Sequence, residues 1–169
     1  MEKNYMRSDA IVEFEFLEEE CMPMHAHENP EILFVLEGEL CVKTDQEEYS
    51  LFNGDFLLIN ANRVHSYRTN GKSFAVRFQL SIKRLRDALH RNSILFWCSS
   101  LLEPSDSCHE VRKLLQDILL CNVNKGSKDE FYESSLCYQL LSLLCGEFLL
   151  DGRDSSDEMT DRNNHMNQL

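Results

Sequence analysis

The sequence predicts a mainly β domain with helices C-terminal to it, on three observations. Apolar residues recur with period two through the first eighty positions, Gly-centred turns divide that stretch into short runs, and after Leu80 the period changes to that of a helix. Many short strands at near-regular spacing close into a sandwich or small barrel, because closure removes exposed sheet edges.

The elements follow in order. In Ile11 to Phe16, Val12, Phe14 and Phe16 share one face and Glu13 and Glu15 the other, as in a half-buried strand. Runs 31–36 and 39–44 flank an expected turn at Glu37-Gly38, and runs 48–52 and 56–60 flank Asn53-Gly54-Asp55. The run 64–69 leads through Asn70-Gly71 to 73–80. Ser81 can cap a short helix to about Leu89, and Ser107-Cys-His-Glu110 and Ser127-Lys-Asp-Glu130 read as capping boxes opening two longer helices. The first carries Val111, Leu114, Leu115, Ile118 and Leu119 on one stripe, and the second Phe131, Leu136, Leu140, Leu141, Leu144 and Phe148, ending at Asp151-Gly152. The chain thus divides into a β-barrel at 1–80, a helical region at 81–150 and a polar, linker-like tail at 151–169.

Composition excludes several classes. The 169 residues, 43% apolar and 27% charged, suit one globular domain. Seventeen Lys and Arg against 29 Asp and Glu leave a net charge of −12, mostly within residues 1–80, the wrong sign for a surface that grips phosphates unaided. No apolar run approaches the roughly 20 residues of a membrane span, and the N-terminus lacks the order of a signal peptide. Seven cysteines, odd in number, without Cys-x-x-Cys and mostly among apolar neighbours, read as reduced thiols, so a cytoplasmic protein is expected.

The sharpest signal is His25-Ala-His27-Glu-Asn-Pro-Glu31 running on to Gly38, followed by Gly54 through His65. On a strand, residues 25 and 27 project from one face, so two imidazoles can converge inside a barrel, with Glu31 and His65 arriving from later strands. Such a set suits Zn, Fe, Mn, Ni or Cu and leaves positions open for a small molecule. Two uses stay open: a divalent metal (Zn, Ni, Fe or Mn) on His25, His27, Glu31 and His65, or a metal-free pocket in which these groups hydrogen-bond an effector.

These residues resemble the cupin superfamily, whose first motif spaces His-x-His, Glu and Gly as His25, His27, Glu31 and Gly38 are spaced here. Its second motif is matched at Gly54 and His65, with Asn60 and Asn62 in place of a Pro and a Gly; Thr69 replaces the closing Asn, and Glu19 the first motif's opening Gly. The resemblance implies a cupin (double-stranded β-helix, or jelly-roll) barrel. Residues 10–150, with the run Gly-Asp-Phe-Leu-Leu-Ile-Asn-Ala-Asn-Arg-Val-His-Ser and the order barrel, helices, polar linker, further resemble the N-terminal effector-binding and dimerisation domain of arabinose-operon (AraC) family bacterial transcription regulators. This implies a sensor that binds a small effector, a sugar or related metabolite, pairs as a homodimer through residues 108–150, and meets DNA only through a C-terminal helix-turn-helix domain absent from this chain. It places Tyr5 and Arg7 on an arm over the effector.

Arg77 lies opposite in phase to Phe74, Val76 and Phe78 and joins the candidate pocket; Arg63, Tyr67 and Arg68 have an even chance of facing solvent. Lys83, Arg84, Arg86 and Arg91 read as a solvated helix face. No nucleophile elbow, phosphate-binding loop or paired catalytic carboxylate motif occurs, so a non-enzyme is expected, the alternative being a small metal-dependent cupin enzyme, a dioxygenase or isomerase.

Overall fold

A computed structural model describes residues 10–18, 21–45, 47–101, 105–123 and 130–150. The strands are β1 (Val12–Glu18), β2 (Cys21–His25), β3 (Glu31–Thr44), β4 (Glu48–Leu51), β5 (Phe56–Ile59) and β6 (His65–Leu80). Helices α1 (Ile82–Leu89), α2 (Asp106–Val123) and α3 (Glu130–Leu143) follow, the last continuing into a π-helical turn, Leu144–Phe148. The sheet is antiparallel throughout: β6 lies between β1 and β3, β3 between β6 and β4, β2 joins β6 and β5 joins β3.

Two expected hairpin turns are bulges instead. Runs 31–36 and 39–44 are halves of the single strand β3, and 64–69 and 73–80 are halves of β6. Both halves of β3 pair with β6, with register shifts between Val35 and Glu39. Gly38 (φ 82°) and Gly71 (φ 65°) take the left-handed backbone that bends a strand without reversing it. At Gly38 the strands nearly touch: a Cβ there would lie 2.4 Å from Ser73 Oγ and 2.8 Å from the Lys72 carbonyl oxygen. The Glu39 amide donates to Ser73 Oγ at 3.0 Å, which stitches the bend. The turn at Asn53-Gly54-Asp55 is a true one, with Gly54 at φ 82°.

Because β3 and β6 run through the middle of the sheet, their faces bury different layers. Ile32, Phe34, Phe56, Leu58, Val76 and Phe78 point outward beneath the helices, against Val111, Leu115, Ile118 and Leu140. Leu33, Val35, Leu40, Val42, Leu51, Leu57, Ile59 and Tyr67 line the barrel interior. Burial on both faces is why 32–36 reads as an unbroken apolar run. In β1 the expected Phe face is only partly covered: Phe14 packs on the outer layer, Phe16 stays exposed beside Phe74, and Leu17, on the opposite face, is the buried residue.

Ser81 caps α1, accepting from the Arg84 amide, and Lys83, Arg84, Arg86 and Arg91 lie on exposed positions. Helix α2 starts before the expected box: Ser105, not Ser107, accepts from the Cys108 amide at 3.1 Å. Its predicted stripe is buried throughout. Leu136 and Leu140 of α3 and Leu144 of the π-helical turn are buried, and Phe131, in the first turn of α3, is 89% exposed. The α-helix also ends at Leu143 rather than at Asp151, and by Leu149 the backbone is extended. The Ser127 box, the Tyr5 and Arg7 arm and the 151–169 tail lie outside the described residues.

The sequence reading missed a strap, residues 94–100. Leu58 donates to the Cys98 carbonyl and Ser100 to that of Phe56, while Trp97 donates to Phe148 and Leu150 to Leu95. The alternation of Ile94, Phe96 and Cys98, all buried, was its readable signal. All seven cysteines are free thiols. No described helix is long and apolar enough to cross a membrane.

Candidate metal and ligand site

His25 ends β2, His27 follows in the loop, Glu31 opens β3 and His65 opens β6. Pairing sets His25 directly opposite His65. The ligand atoms of His25, His27 and His65 all lie within 4.8 Å of one another. Glu31, fully buried, places Oε2 3.1 Å from His27 Nε2 and Oε1 2.8 Å from His65 Nε2.

The backbone sets the imidazoles. His25 Nδ1 lies 2.9 Å from the Pro23 carbonyl oxygen, His27 Nδ1 2.6 Å from that of Asn29 and His65 Nδ1 2.8 Å from that of Arg63. A carbonyl oxygen only accepts, so each Nδ1 carries the proton when the ring is neutral, and each Nε2 presents its lone pair. This is how protein metal centres orient histidine ligands. Burial would raise the Glu31 carboxyl, but the His65 contact and the charges of His65, His27 and Arg77 outweigh it and hold it below its ordinary value. Burial would lower His65, but Glu31 and the Arg63 carbonyl keep it above its ordinary value.

His25 Nε2 is buried without a hydrogen-bond partner, and His65 Nε2 and Glu31 Oε1, 2.8 Å apart, have no partner but each other. Orphaned lone pairs of this kind are costly unless something positive satisfies them. The donor set fits a divalent cation held by His25, His27, His65 and Glu31, which would supply a Lewis acid for an oxygen of a bound molecule.

The departures from the motif have physical explanations. Asn62, where a Gly is usual, keeps a left-handed φ of 59°, which Asn tolerates. Asn60, where a Pro is usual, donates from Nδ2 to the Phe96 carbonyl at 2.9 Å and accepts from the Phe96 amide at 2.8 Å, pinning the strap.

Arg77 also lies on the interior face, with Nη2 2.5 Å from Glu15 Oε2 and Nη1 donating to Tyr67 Oη at 3.4 Å. Tyr67 belongs to the site, its ring 6.3 Å from that of His25. Its signal was parity with His65, since residues two apart on a strand share a face. Arg68 is exposed; Arg63, also exposed, lies 3.9 Å from Asp45.

An antiparallel barrel with convergent histidines at one end and helices behind it is the cupin class of fold. The profile of the family described as Cupin domain (Cupin_2) matches residues 12–83, the span of the barrel. Over 45 residues, 26% of the chain, it is 49% identical to quercetin 2,3-dioxygenase of Bacillus subtilis strain 168, and it spans 13% of that protein's length. Among solved structures it is similar to a cupin superfamily protein of Desulfitobacterium hafniense (19% identity, 44% of this chain and 70% of that one, TM-score 0.40). It is similar also to a DMSP lyase of Ruegeria pomeroyi (22% identity, 42% and 38%, TM-score 0.37).

Proposed function

We propose that this chain is the ligand-sensing and dimerisation module of an AraC-type transcription regulator, a cytoplasmic homodimer that binds a small effector, a sugar or related metabolite, in the barrel. The observation that carries the reading is the helical layer. Helices α2 and α3 bury one stripe on the barrel and leave Leu120, Val123, Phe131, Tyr132 and Tyr138 exposed, more apolar surface than a single packing face needs. A second copy of these helices would cover it. Effector binding would then act by favouring one arrangement of the pair, which requires different affinities for the two arrangements. DNA would be met through a separate helix-turn-helix domain. Light scattering at micromolar concentration should give a dimer mass, and Leu120→Asp with Phe131→Asp should give a folded monomer; a monomeric parent chain overturns the reading.

The preset imidazoles favour a second reading, a metal-dependent cupin enzyme such as a dioxygenase or isomerase, in keeping with the dioxygenase likeness. Elemental analysis of untagged protein against the His25→Ala, His27→Ala double variant tests it. One equivalent of metal lost in the variant supports a metal centre, and none in either removes the enzyme reading.

A further inference from the structure

Four buried side-chain atoms without a hydrogen-bond partner are found among the described residues: His25 Nε2, His65 Nε2, Glu31 Oε1 and Arg77 Nε. The first three belong to the cation-binding cluster, and a cation can satisfy them. The fourth is an N–H donor, which no cation satisfies; it needs an acceptor. The guanidinium is otherwise held in place. Glu15, from β1 and 59% exposed, occupies only Nη2, and Tyr67 Oη accepts from Nη1 and fixes the plane of the fork. The edge formed by Nε and Nη2 is the one that takes a carboxylate through two parallel hydrogen bonds, and Glu15 uses half of it. Tyr67 spans from this edge to His25, so the two sets of orphaned atoms belong to one interior.

We propose that the metabolite bound in the barrel is a small organic acid, sugar acids included, its carboxylate accepting from Arg77 Nε and Nη2 and the rest of it lying toward His25, His27, His65 and Glu31. The inference rests on reading the interior as a ligand site and names the class of ligand. Glu15 is then a competitor at the mouth, displaced or shared when the acid binds.

The test uses the 15N-labelled full chain with formate as the acid probe and formamide as its neutral counterpart, read at the Arg77 Nε–H resonance, assigned by its loss in Arg77→Lys. Formate should shift that resonance saturably, and bind at least about tenfold more tightly than formamide, since hydrogen bonds between charged partners are the stronger. Glu15→Gln should tighten formate about two- to fivefold, the scale of an exposed ion pair. In Arg77→Lys, followed at the Tyr67 ring protons, saturable binding should vanish; should that variant not fold, Glu15→Gln alone decides. An Arg77 resonance indifferent to formate, equal shifts with formamide, or unchanged affinity in Glu15→Gln overturns the proposal. A zinc titration read at the imidazoles separates it from the metal reading. Formate binding without zinc binding leaves the acid inference standing and removes the metal, and zinc binding without formate binding does the reverse.

Discussion

The two faces of the same strands make opposite environments. Outward from β3, β5 and β6, Ile32, Phe34, Leu58, Val76 and Phe78 share an apolar layer with helix residues, the strap and Phe14. Inward, the apolar set Leu33, Val35, Leu57 and Ile59 gives way at one end to Glu31, His65 and Arg77. One residue of register separates the two, so the pleat alone partitions the chain between a layer that holds the helices and a layer that holds the chemistry.

That partition can be broken first from outside. Phe34→Ala should cost about 3–5 kcal/mol, the usual toll of an emptied aromatic site, lowering the thermal midpoint while the imidazole resonances of whatever remains folded respond to added zinc as in the parent chain. A changed response would show the layers to be coupled. Next comes the bend that both layers share. Gly38→Ala forces a Cβ onto Ser73 and the Lys72 carbonyl in left-handed backbone and should cost more than about 2 kcal/mol, whereas Gly71→Ala meets no atom within 4 Å and should cost about 1, the backbone strain alone. Urea titrations of the two variants compare them directly.

Acidity sharpens the contrast, because the inner layer titrates and the outer does not. In protein stripped of metal with EDTA, Glu31 is lowered, so its contribution is present above its ordinary 4.5 and is lost as pH falls through its folded value. His65 is raised, so its contribution is present below its ordinary 6.5 and is lost as pH rises through its folded value. Stability from this pair therefore peaks between about 4.5 and 6.5, and Glu31→Gln should flatten the peak in melts across pH. Zinc affinity should instead rise with pH, since ligation needs neutral His65. The smallest effect on stability is His25→Ala, about 1 kcal/mol or less, because its Nε2 has no partner and its Nδ1 bond to the Pro23 carbonyl is local and exposed. Zinc affinity should nevertheless fall by more than the roughly 10–100-fold that loss of a ligand's outer partner costs, measured by competition with a chelator.

The sequence made much of this legible. Residue spacing singled out His25, His27, Glu31 and His65, although His27 lies in the loop after β2 and not on the strand that the period-two reading gave it. It misread Gly38 and Gly71, since a glycine at positive φ serves a turn and a bulge alike, and only the partner strand decides between them. Tyr67 and Arg68 stayed undecided because their parity was not referred to His65, two residues before Tyr67 on the same strand. Orientation of the imidazoles was out of reach, because it depends on the Pro23, Asn29 and Arg63 carbonyls, and every residue has one. Ser105 was missed as a cap because Ser107 with Glu110 fits the same pattern two residues later.

The strap from Ile94 to Ser100 is stitched on one side to β5 and Asn60 and on the other to Phe148 and Leu150. Hydrogen bonds hold register where apolar contacts allow sliding, so Asn60, five residues before His65, and the chain leaving the last helical turn are tied to one strap. Amide exchange at Leu58, Trp97 and Leu150 should accordingly open in a single event.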